Sequence, residues 1–149
     1  MARTALALLL VASPASAAVS VHDGDTITID GTRYRISGID APELKQPCHR
    51  QDGTAWPCGL AARAAMVDLV GDGAGLACRP GALDRYRRIV ATCYRAGVDI
   101  GQEMVRRGLA MAYRRFSRVY VPDEAGARVR GVGIWQGSFA APWDWRKAR

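Results

Sequence analysis

Histidine is nearly absent from this chain of 149 residues: only His22 and His49 occur. Neither has a partner at metal-ligand spacing, which excludes a histidine-built metal centre and leaves each as a plain surface or loop residue. There is no CxxC pair. The four cysteines are separated by 9, 19 and 14 residues, intervals that fit no zinc module. Lysine is almost missing too, with two against nineteen arginines, a bias that genome base composition can produce alone. Internal repeats and low-complexity linkers are lacking, so a repeat architecture is excluded. Beyond the N-terminal apolar run, no stretch is long and apolar enough to form a membrane helix.

What is present begins with a leader pattern. MARTALALLLVASPASA carries Arg3, an apolar run over 5–12 and the triplet Ala15-Ser16-Ala17. A basic start, an apolar run too short to span a bilayer and an A-x-A site predict a secretory signal peptide over 1–17. The rival is an uncleaved amphipathic or core helix. The remaining domain, 18–149, is long enough for a single core. Residues 18–78 carry eight acidic and five basic side chains, net −3, whereas 79–130 carry twelve arginines against five acids, net +7. An acidic first half and a basic second half suggest a polyanion met through a cation.

Four cysteines behind a leader point to an oxidising compartment. Three pairings are open. We favour Cys48 with Cys58, closing a polar Gly/Pro loop, and Cys78 with Cys93, bridging neighbouring strands. A four-thiolate zinc site is the rival.

Residues 18–22 can form a first strand, and Thr26-Ile-Thr-Ile29 alternates as a half-buried strand does. Asp30-Gly31 is a strong hairpin turn, returning the chain as a third strand over 32–39. A loop over 46–59 leads to a helix over 59–70, with Leu60, Ala64 and Val67 on one apolar face. Strands follow at 76–79 and 89–95, joined by a loop over 80–88. Asp99 caps a second helix, with Gln102 at the capping-box position and Gly108 as its stop. Pro122 opens a third, which ends at Gly131. Trp135, Trp143 and Trp145 crowd the tail, where they suit sealing a core better than stacking bases. The order predicts an α+β, mainly β fold: a five-stranded OB-type Greek-key barrel with three helices.

The hairpin carries the chemistry. With a two-residue turn, Ile27 faces Tyr34 and Asp25 faces Ile36, so Asp25 and Asp40 extend beyond apolar rows on one face. Two carboxylates brought together repel unless one is protonated or a cation lies between them. A hard divalent cation suits oxygen donors of this kind. Asp23 and Glu43 add two more acids nearby. Taken singly, DGD and DAPE are common turn formers. Strict alternation sets Arg35 on the opposite side, so it joins the site only over a barrel edge or through a bulge near Ser37-Gly38.

DGDT, YRISGIDAPE, DRYRR, the helix VDIGQEMVRRGLAMAY and the terminal RVRGVGIW, in this order, resemble the thermonuclease family of staphylococcal-nuclease-like enzymes. The resemblance covers nearly all of 18–149. It implies an OB-fold, calcium-dependent phosphodiesterase acting on DNA and RNA, single-stranded or denatured, as a periplasmic or secreted monomer. By motif, Asp25 and Asp40 resemble calcium ligands, Ala41 supplies a backbone carbonyl, and Asp23 contacts the ion through water. Glu43 resembles the general base. Arg35 and Arg88 resemble the arginines that grip the scissile phosphate, and Arg85, Tyr86 and Tyr113 the nucleotide contacts. Two departures stand out: Ala41 replaces the usual Thr, and Arg87 replaces the glycine before the catalytic arginine. The region after Gly108 is also slightly shorter than the family pattern.

These residue types suit phosphodiester hydrolysis. Attack places negative charge on the phosphate oxygens, which a cation and two guanidinium forks can meet. A carboxylate can take the proton of the attacking water. A non-catalytic OB module that binds nucleic acid by charge and stacking is the alternative. Clustered acids, which repel phosphate, argue against it. A disulfide-stapled interaction domain explains neither the acids nor the basic half.

Overall fold

A computed structural model describes residues 17–149. The expected leader thus lies, up to residue 16, outside the described residues. Among the described residues no helix is long and apolar enough to cross a membrane.

Five strands form the main sheet: β1 (Val19–Val21), β2 (Thr26–Ile29), β3 (Thr32–Ile36), β4 (Leu76–Leu83) and β5 (Ile89–Arg95). Their spatial order is β1-β2-β3-β5-β4, with Val98–Asp99 added to β5. Asp30 and Gly31 both take positive φ, 47° and 80°, as a type I′ turn requires. The hairpin register follows, with Ile27 opposite Tyr34 and Ile29 opposite Thr32. β5 runs parallel to β3, and the chain makes that crossover through α1 (Cys58–Val70) and β4. The architecture is the expected α+β, OB-type arrangement.

The structure differs from the sequence reading at several points, among them the expected 46–59 loop, which contains the short strands Cys48–Arg50 and Ala55–Trp56. β4 continues past Pro80 to Leu83 through a bulge, which shortens the expected 80–88 loop. β4 ends the order of strands in the sheet, where a proline without an N–H is tolerated. α1 turns Ala62, Ala65, Met66 and Val70 inward, and Leu60, Ala64 and Val67 face solvent. Alanines surround this helix, so its apolar spacing names no unique face. A fourth helix, α4 (Pro142–Lys147), follows α2 (Ile100–Arg106) and α3 (Val121–Arg130).

Asp99 caps α2 as expected, accepting from the Gln102 amide at 3.1 Å. The Gln102 side chain does not return to close a capping box; it donates to Asp123 at the start of α3. Ile27, Ile36, Met66, Ile100 and Met104 fill the main core. A second cluster holds Cys48, Cys58, Met111 and Ile134, covered by Trp56, Trp135 and Trp143. Cys48 is bonded to Cys58 within it, and Cys78 to Cys93 across the β4–β5 pair.

Candidate active site

Asp25 precedes β2 at its open end. Asp40 follows a turn at Gly38, whose φ is 74°, in the short strand Ile39–Asp40. Asp40 therefore lies beyond the regular hairpin, where alternation no longer fixes side-chain direction, whereas Asp25 still holds the ladder by accepting from the Ile36 amide at 2.8 Å. The turn at Gly38 is the break in strict alternation through which Arg35 joins the acids, at the place the sequence left open for it. Arg35 Nη1 lies 2.7 Å from Asp25 Oδ2 and Nη2 lies 3.0 Å from Asp40 Oδ1. Nη1 is buried and forms the ion pair without an aligned hydrogen bond.

Gly24 makes the loop possible. A Cβ there would stand 2.6 Å from the Ala41 Cβ and 2.8 Å from that of Ala62 on α1. The loop is fastened on both sides: Asp25 Oδ2 accepts from the Ala41 amide at 2.9 Å, and Asp23 Oδ1 from the Asp25 amide at 3.0 Å.

Arg88 reaches the cluster from the β4–β5 loop. Its Nη1 donates to Thr26 Oγ1 at 3.1 Å, and that hydroxyl donates to Asp25 Oδ1 at 3.1 Å. Asp84 holds Arg88 through Nε at 2.8 Å and through the Arg88 and Tyr86 amides. Burial raises the Asp84 carboxyl, but these bonds outweigh it and hold it below the usual range. Arg87 is exposed and takes φ 62°, the left-handed conformation for which glycine is suited. Arg85 and Arg88 both lie over the Tyr86 ring, at 4.9 and 5.3 Å. Tyr113 stacks on Trp143, centroids 5.5 Å apart.

Sequence reasoning missed Arg146. From α4 it donates to Asp40 Oδ2 at 2.6 Å, Asp40 Oδ1 at 3.0 Å and Glu43 Oε1 at 2.7 Å. Its separation of over a hundred residues from both acids left no local signal. Glu124, in the first turn of α3, is fully buried, accepting from the Ala112 amide and Arg114.

Burial raises the Asp40 carboxyl, against the lowering effect of Arg146. Burial, then the neighbouring Asp25, pushes Asp23 up to about 6. Among the described residues, no three His, Cys, Asp or Glu side chains close on one point. What fits a hard divalent ion is the convergent pair Asp25 and Asp40, all-oxygen donors beside the backbone of Ala41.

A model of the family described as staphylococcal nuclease homologue matches residues 33–137. The chain is 34% identical over 139 residues to the succinoglycan biosynthesis protein ExoI of Rhizobium meliloti, covering 88% of this chain and 73% of that protein. It is 31% identical over 137 residues to an uncharacterized endonuclease of Haemophilus influenzae, covering 87% and 71%. Against the staphylococcal-like nuclease CAN1 of Arabidopsis thaliana, identity is 33% over 118 residues, covering 77% and 32%.

Proposed function

The chain belongs to the family of staphylococcal nuclease homologues, and from that premise we propose that it is a calcium-dependent nuclease hydrolysing phosphodiester bonds of DNA and RNA. One observation carries the reading: a single guanidinium, Arg35, bridges Asp25 and Asp40, with Arg88 joined to Asp25 through Thr26.

Asp25, Asp40 and the Ala41 carbonyl would hold the ion, with Asp23 reaching it through water. Bound there, calcium supplies charge that polarises the phosphate. Arg35 and Arg88 offer paired N–H donors to the equatorial oxygens and meet their charge more strongly as the bond breaks. Glu43, whose side chain is 37% exposed, stands where water can reach it and takes the proton of the attacking molecule. Arg85, Tyr86 and Tyr113 orient the nucleotide.

Two disulfides and the leader pattern support export to the periplasm or beyond. The test is direct. The purified chain should cut denatured DNA and RNA with calcium and stop when a chelator is added. A protein that binds nucleic acid but never cuts it is a non-catalytic module, and the proposal is then wrong.

A further inference from the structure

The tail tryptophans do not share one role. Trp135 and Trp143 pack on the cluster around the Cys48–Cys58 disulfide, whereas Trp145 belongs to neither apolar cluster. It borders a cleft of about 330 Å³ beside Glu43, whose other walls include Lys45, Arg146 and Arg149. The Arg149 guanidinium lies over its ring, 4.5 Å from the centroid.

This cleft is held in place. Gln46 Nε2 donates to the Ala140 carbonyl at 2.6 Å just ahead of α4. Trp143 stacks on Tyr113, and Arg146 clasps Asp40 and Glu43 at the far end of the helix. The whole of α4 lies beyond the segment matched by the family, 33–137.

An unbroken line of contacts connects Arg88, Thr26, Asp25, Arg35, Asp40, Arg146 and Glu43, each link between 2.6 and 3.1 Å. Tyr86 lies against Arg88 at one end. Trp145 lies beside Arg146 at the other. Two aromatic rings, each capped by an arginine, thus bracket the acidic cluster. A polynucleotide repeats this pairing of charge and ring, one phosphate and one base per step. An acidic peptide offers the charge alone.

The geometry points to the Trp145 cleft as a binding subsite for a single-stranded polynucleotide, taking a nucleotide that flanks the bond to be cut. Trp145 offers a stacking face, and Lys45 and Arg149 meet the adjoining phosphate. The identity of the cut bond rests on the nuclease reading; the binding itself does not.

The test measures anisotropy of labelled oligo-dT and oligo-U in a chelator, so that nothing is cut. Trp145→Ala should weaken binding of both by about five- to a hundredfold, and Trp145→Phe should restore most of it. Lys45→Ala with Arg149→Ala should lower the slope of log affinity against log salt by up to about 1.4. A mononucleotide, which has no flanking nucleotide to place on Trp145, should bind parent and Trp145→Ala alike. Unchanged oligonucleotide affinity and salt slope in these variants overturn the subsite. So does a mononucleotide loss as large as that for the oligonucleotide, which would make Trp145 a support for the central site. If the parent never cuts with calcium yet shows the binding changes, the nuclease reading falls and the subsite stands. If it cuts and Trp145→Ala binds as the parent does, the reverse holds.

Discussion

Arg146 and Asp40, 106 positions apart, meet through two hydrogen bonds, Nη2 to Oδ2 at 2.6 Å and Nη1 to Oδ1 at 3.0 Å. The same guanidinium donates to Glu43. One arginine thus rests on a carboxylate assigned to the ion and on the proposed base. Bonds to Asp40, offset in part by burial, hold Arg146 protonated more firmly than usual.

Removing that charge should favour a metal ion. Arg146→Ala is expected to bind calcium about tenfold more tightly by titration calorimetry, since a unit charge next to a divalent ion is lost. The variant should melt lower than the parent without calcium, because the buried Asp40 keeps only Arg35. Calcium should recover more stability in the variant than in the parent. Equal calcium affinity in the two proteins would remove the metal role from Asp40.

Glu43→Gln keeps the shape and removes the base. Turnover should fall by about 10²- to 10⁴-fold, with oligonucleotide affinity in chelator unchanged. Full activity in the variant would show that the proton goes elsewhere.

Neighbouring arginines in the β4–β5 loop should behave in opposite ways. Arg88→Ala should cost roughly 10²- to 10³-fold in turnover, by analogy with loss of an oxyanion donor. Arg87→Gly should keep activity and raise stability by about 1 kcal/mol, because glycine takes the positive φ of that position without strain. The opposite ranking would transfer the phosphate contact to Arg87.

Asp84 sets a pH limit on the same loop. Its carboxyl is depressed in the folded state, so its contribution is present above the ordinary value of 3.8 and fades as pH falls through the folded value. Asp84→Asn should therefore melt below the parent at neutral pH, and the gap should close in acid, once the pH has fallen through the folded value. At neutral pH the variant should also lose turnover, about tenfold, because Arg88 is less firmly aimed. A melting gap that persists unchanged in acid would place the effect outside the carboxylate.

Local chemistry made much of this fold readable. Asp30-Gly31 demands the turn it forms, Asp99 has the side chain that α2 needs, and facing strands brought Cys78 and Cys93 together. Features decided over long distances were not readable. Arg35 is an intermediate case: the sequence offered a barrel edge or a break near Ser37-Gly38 as its routes to the acids, and the turn at Gly38 selects the second. The buried face of α1 was set by what packs on it, since its alanines name no side. Arg146 lies on a helix beyond every motif, and only the closed fold brings it to Asp40 and Glu43.

Gly24 has a consequence for how the molecule fails on heating. With only a hydrogen at that position, Ala62 of the helix and Ala41 of the acidic loop sit against one another across it, so scaffold and chemistry share a single wall. Any loosening of that helix is also a displacement of the carboxylates. Loss of activity and loss of structure should consequently trace the same thermal curve, with no temperature at which a folded but inert form accumulates.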